Sequence, residues 1–211
     1  MEYFIPTQAS VTEFTEKRSR FIGHVWRVDS EEEARAWIER TKKEHYDARH
    51  NCWCYRIKDG PVRYSDDGEP QGTAGQPMLN VFEREAVENV CCVVTRYFGG
   101  VLLGAGGLVR AYTQSAKNAL DAAGISVVRR WVEALLSCPY SWHDRVRQEV
   151  ERLGGTIAGT DYGADVCFTA LLPEQSAQEI LASIYDLSAG QIEGLVSGER
   201  FRDVPWRQSV L

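Results

Sequence analysis

The densest cluster of residues able to meet a ligand through the backbone is "TRYFGGVLLGAGGLVRAY", residues 95–112. Five glycines, Gly99, Gly100, Gly104, Gly106 and Gly107, fall there within nine positions. An apolar run precedes them and a helical pattern follows, so the order is strand, glycine loop, helix. The first N–H groups of a helix lack intrahelical acceptors and carry partial positive charge. Glycines ahead of such a terminus let a phosphate or carboxylate reach the amides, and Arg96 and Arg110 flank the loop. The same glycines equally suit a close crossing of helix on sheet. The stretch is no nucleotide fingerprint: G-x-x-x-x-G-K-[ST] is missing and G-x-G-G departs from G-x-G-x-x-G, so ATP hydrolysis is not supported.

A second irregular stretch, "DDGEPQGTAGQP" at 66–77, contains three glycines and two prolines and reads as a loop. Twelve irregular residues in a compact domain more often bind something than merely connect. Asp66, Asp67 and Glu69, with Thr73 nearby, offer oxygen ligands, yet D-D-G-E lacks the alternation of an EF-hand loop and no metal is assigned. These carboxylates alternatively accept from Arg96, Arg110 or a base edge, or form a solvated turn in which Asp66 caps the backbone and Gly68 is left-handed. His45, His50, Cys52 and Cys54 raise the question of zinc or a Cys–His nucleophile. The C-x-C has no matching second pair, and His50 with Asn51 reads better as polar surface at a strand's start. Lys17, Arg20, Phe21, Trp53, Tyr55, Arg56, Tyr97 and Arg110 interleave aromatic and basic side chains, the mixture that binds single-stranded or looped RNA on a sheet. Trp53 and Tyr97 equally suit a core, as do Trp37 and Trp142 on helix faces.

Around these motifs the patterning predicts a strand at 21–28, a helix at 30–44 opened by Ser30 and Glu33 in capping-box spacing, and a hairpin of 51–57 with 61–65 turning at Asp59-Gly60. A helix over 78–89, a central strand over 90–98 and a helix from Leu108 to Gly124 complete a first domain. After 125–131 the pattern restarts as strand, helix from Ser141 to Leu153, two strands, helix from Pro173 and a last strand. That order is β-α-β-β-α-β, the ferredoxin-like arrangement, with a boundary near residue 132.

The 211 residues are 44% apolar and 26% charged, an ordinary soluble composition. Residues 1–132 hold 18 Lys and Arg against 18 Asp and Glu, whereas 133–211 hold 6 against 12, which supplies the whole net charge of −6. A neutral-plus-acidic chain excludes non-specific duplex DNA binding and leaves any nucleic-acid contact to a local patch. Six cysteines without regular disulfide spacing read as reduced. Met1 to Pro6 lacks the regions of a signal peptide and no apolar stretch reaches membrane length, so the expectation is a cytoplasmic protein with no membrane contact.

Four stretches, "KRSRFIGHV" (17–25), "HNCWCYRI" (50–57), "YSDDGEPQGTAGQPML" (64–79) and "VTRYFGGVLLGAGGLVRAY" (94–112), resemble the IMPACT family, also called the YigZ family. The resemblance implies an α+β protein of two domains. The first, 1–132, would be a ribosomal-protein-like domain with a mixed sheet and helices on one face. The second, 133–211, would be ferredoxin-like and similar to domain V of elongation factor G, a factor that touches the ribosome. Eukaryotic relatives act in translational control by competing with an initiation-factor kinase for its activator protein. They carry an extra N-terminal domain that this sequence does not display, so that particular partner is not carried over. The expectation is a factor without catalytic residues or cofactor that binds RNA, the ribosome or a translation-associated protein through Lys17, Arg20, His50, Asn51, Arg96, Arg110 and the two loops. The rival is an enzyme acting on a phosphorylated or carboxylated small molecule held at the glycine loop.

Overall fold

The structure, a computed structural model, describes residues 2–206. Its contacts separate two compact units: Tyr3–Val127 with residues 204–206, and residue 2 with Val128–Asp203.

In the first unit the chain runs β1 (Tyr3–Pro6), β2 (Ser10–Glu16), β3 (Ser19–Arg27), α1 (Glu31–Glu44), β4 (His50–Arg56), β5 (Val62–Ser65), α2 (Gly75–Arg84), β6 (Val90–Tyr97) and α3 (Ala105–Ala123). Strands β2-β3-β6-β4-β5 form one sheet whose neighbours all pair antiparallel. Side chains alternate between its faces. Phe21, Val25, Cys52, Cys54, Cys92 and Val94 pack with α2 and α3, while Trp26, Tyr55, Cys91 and Val93 pack with α1. The expected mixed sheet with helices on one face is therefore corrected to an antiparallel sheet covered on both. The cause is α1, whose buried Ala34 and Ile38 need an apolar partner and find the second face. Helix α3 crosses β3 at Gly23, where a Cβ would stand 2.7 Å from the Ser115 carbonyl oxygen.

Strands β1 and β2 were absent from the sequence reading. The β2–β3 hairpin turns through Lys17 (φ 44°) and Arg18 (φ 67°), left-handed positions that Asn or Gly usually mark, so no turn signal was present. The β4–β5 hairpin does turn at Asp59-Gly60. Helix α2 begins three residues before the expected Met78, because the Asp66 carboxylate accepts from the Ala74 and Gly75 amides and Pro77 loses nothing in a first turn.

Strand β7 (Ile125–Cys138) begins in the first unit and continues into the second as one strand rather than two segments. There follow α4 (His143–Arg152), β8 (Thr156–Tyr162), β9 (Val166–Pro173), α5 (Ala177–Leu187) and β10 (Gly194–Pro205). Within this unit β10 pairs with β7, β7 with β9 and β9 with β8, the ferredoxin-like order; the five-stranded sheet also includes β1, which pairs with β7. Ser141 falls in a 3-10 turn and caps nothing; α4 starts after Trp142 without a side-chain cap. Its core joins Leu136, Val146, Val150, Phe168, Leu172, Ile180 and Ile184.

Candidate functional site

Three strands bring the site together. Arg96 on β6 is the register partner of His50 on β4 and of Phe21 on β3, so the three side chains form a row on the α3 face of the sheet. The acidic loop lays Glu69 over that row. Its Oε1 accepts from Arg96 Nη1 at 2.6 Å and from the Tyr112 hydroxyl at 2.8 Å, while Oε2 lies 3.8 Å from His50 Nε2. Arg96 and Glu69 are buried, at 5% and 7% exposure, so each charge depends on the other. The guanidinium is sandwiched 5.6 Å from the Phe21 ring centroid and 5.5 Å from that of Phe98. Its Nη2 reaches Ser19 Oγ, and its Nε is buried without a hydrogen-bond partner. Burial beside Glu69 pushes the Tyr112 phenol far up, keeping it a donor.

A cleft of about 410 Å³ opens on this cluster, its lining including Arg49, His50, Glu69, Arg96, Phe98, Leu102 and the start of α3 at Gly104 and Ala105. Helix α3 starts there. Gly104 takes φ 74°, open to glycine without strain, and no side chain caps the helix, so its first amides are left for solvent or a ligand. Phe98 and Leu102 are exposed on the rim, at 47% and 82%. Arg49 is exposed, and no carboxylate pairs with it among the described residues.

Other sequence candidates fall elsewhere. Lys17, Gly107 and Arg110 line a separate cleft of about 210 Å³ with Phe14 and Gln114. Gly99 packs so tightly on Arg18 that a Cβ would overlap its carbonyl, a packing role; Gly100 and Gly106 have open space or only Arg110 nearby. Arg20 makes a two-pronged ion pair with Glu13 on the sheet edge. Asn51 is buried on the α1 face, bonded to Thr95 and to the His45 carbonyl. Asp66 organises the loop by accepting from Gly72, Ala74 and Gly75, Asp67 accepts from the Asn51 amide and Lys42, and Thr73 bonds the Pro70 carbonyl. Arg56 pairs with Glu88. Burial pushes the Cys52 and Cys54 thiols up, which removes the thiolate a nucleophile needs. No cluster of three His, Cys, Asp or Glu placed to hold a metal exists among the described residues.

Sequence reasoning missed Arg49, Phe98, Leu102 and Tyr112. Phe98 and Leu102 suit a core by type, and only the glycines beside them, Gly99 after Phe98 and Gly100 and Gly104 around Leu102, hint otherwise.

An antiparallel sheet roofed by a glycine-led helix, joined to a ferredoxin-like unit, defines an α+β class of two-unit proteins. The family model described as Impact N-terminal domain matches residues 17–120, and one described as Domain of unknown function (DUF1949) matches 136–191. The chain is 37% identical to IMPACT family member YvyE of Bacillus subtilis over 90% of its length and 88% of that protein. It is equally 37% identical to IMPACT family member YigZ of Escherichia coli, over 94% and 100%. Among eukaryotes, Protein IMPACT homolog of Dictyostelium discoideum is 36% identical over 47% of this chain and 30% of its own. A crystal structure of a hypothetical protein, 34% identical, covers 93% of this chain and 98% of its own at a TM-score of 0.58. The chain belongs to the IMPACT family. No helix among the described residues is long and apolar enough to cross a membrane.

Proposed function

We infer that this protein is a translation-associated binding factor that takes up unpaired RNA, free or in the ribosome, in the cleft of its first unit. The observation that carries this reading is the composition of the cleft, which brings exposed Phe98 and Leu102, Arg49 and the uncapped start of α3 into one lining. An exposed ring gives a base a stacking surface, and helix amides with an unpaired arginine give a phosphate its partners. Of the two roles the sequence leaves open for Arg96, anion ligand or partner of an acidic-loop carboxylate, the pair with Glu69 supports the second. The Arg96 charge is spent on Glu69, so it shapes the cleft and Arg49 provides the free cation. The second unit, acidic and without such a cleft motif, suits a spacer or a protein contact. Membership of a family whose eukaryotic relatives act in translational control supports the assignment.

The test is gel shift and ribosome co-sedimentation at moderate salt with the full chain. Association is expected, weakened about tenfold in Phe98→Ala, the scale of one lost base–aromatic stack, and weakened also in Arg49→Ala. No association with either RNA or ribosomes would end this reading. A small-molecule enzyme is the second reading, favoured by His50 and Glu69 meeting in the same cleft. Thermal shift with sugar phosphates that carry no base separates the two, since only the enzyme predicts specific stabilisation by them that is lost in His50→Ala.

A further inference from the structure

We propose that the cleft selects an unpaired base carrying an exocyclic amino group, so that cytosine and adenine are accepted ahead of uracil. This rests on the RNA reading above and adds the chemistry by which the site chooses. His50 Nδ1 lies 2.8 Å from the Asp67 carbonyl oxygen, which can only accept, so the ring hydrogen sits on Nδ1. A neutral ring then presents a lone pair at Nε2. Glu69 is in the same position: Oε1 is occupied by Arg96 and Tyr112, and Oε2 meets only His50 Nε2 at 3.8 Å. That separation is too long for the direct hydrogen bond an imidazolium would make. Two acceptors therefore stand side by side on the cleft wall with no donor between them. A donor from a base gives this carboxylate, whose side chain is only 3% exposed, a direct hydrogen bond to a charged acceptor, the stronger kind.

A group with two hydrogens on one nitrogen meets both acceptors at once. A hydroxyl carries one hydrogen, and uracil offers a single ring N–H between two carbonyls that would oppose Oε2 and Nε2. Cytosine and adenine each carry an amino group. Phe98, Glu69 and His50 line the same cleft, so one planar ring entering it meets an exposed aromatic surface and this pair of acceptors in a single space. The wall is also held firm. Asp67 fixes the His50 ring through its carbonyl, while its carboxylate is held by the Asn51 amide and Lys42. The acidic loop thus acts as an acceptor edge for a base, rather than as a metal site or a simple turn.

The experiment is fluorescence anisotropy of short labelled oligo(C), oligo(A) and oligo(U) titrated with the full chain and with Glu69→Gln, His50→Ala and Phe98→Ala. Oligo(C) and oligo(A) are expected to bind about tenfold tighter than oligo(U), the low end of what a well-formed base-edge contact discriminates. His50→Ala and Glu69→Gln should erase that preference with oligo(U) affinity nearly unchanged, whereas Phe98→Ala should weaken all three alike. Circular dichroism checks folding, and His50→Ala carries the test if Glu69→Gln unfolds by leaving Arg96 unpaired. Equal binding of all three oligonucleotides by the wild-type chain overturns the base preference and leaves the RNA reading standing. So does a preference that survives in His50→Ala. No binding of any of them removes both.

Discussion

The two units solve the problem of a core in different ways. Of the twelve buried polar or charged residues among the described residues, eleven, from Ser19 to Ser126, lie in the first unit, and one, Ser188, in the second. Ion pairs in the second unit, such as Arg152 with Glu149 and Arg130 with Glu174, stay at the surface. In the first, Arg96 and Glu69 are enclosed. Burying a charge pair seldom adds stability over an apolar core, so a chain that does so in one unit and not in the other has put its chemistry there. The core of the ferredoxin-like unit is apolar, built around Leu136, Phe168, Leu172 and Ile180, and needs no such cost.

The largest effect that follows is on that pair. Arg96→Ala leaves Glu69 buried without its counter-ion and should lower unfolding stability by about 3–5 kcal/mol in denaturant titration. Arg152→Ala, on a fully solvated guanidinium, should leave the midpoint almost unmoved. Equal sensitivity of the two would break the comparison.

A second contrast is in pH. Burial, with His45 close by, holds the His24 imidazole at about 4, and its Nε2 is enclosed without a partner. Below the ordinary pKa of 6.5 the unfolded chain takes up a proton that the folded chain refuses. Stability is therefore complete above about pH 6.5 and falls as pH drops toward 4, by up to about 3 kcal/mol. In His24→Phe this part of the acid sensitivity should vanish, and unchanged sensitivity would contradict the enclosed neutral ring.

Smaller effects sharpen the role of glycine. Gly23→Ala forces a methyl against the Ser115 carbonyl and should cost about 1–3 kcal/mol. Gly106→Ala, where only the Arg110 tip is near, should stabilise α3 by about 0.5–1 kcal/mol. A loss at Gly106 like that at Gly23 would mean that Gly106 also serves packing rather than access to the helix start.

These contrasts also show what the sequence could reveal. The strand, glycine loop and helix of α3 were legible because periodicity and glycine position carry them, and the ferredoxin-like order followed from element succession. The row His50, Arg96, Phe21 was not, because register between strands distant in sequence is set by hydrogen bonding that no local pattern records. Asp66, Asp67 and Glu69 look alike in sequence; which of them faces the cleft depends on a turn with Asp67 at φ 44° and Gly68 at φ 85°. That is why the sequence leaves Arg96 open between an anion ligand and a partner of one loop carboxylate, and why it gives no sign of Arg49, one residue before a strand.

Hydrogen–deuterium exchange with and without single-stranded RNA tests the central claim most directly. The account predicts slowed exchange at the start of α3 and in the acidic loop, residues 98–108 and 66–70, with 128–203 unchanged. Protection confined to 128–203, or none at the start of α3 under saturating RNA, would contradict it.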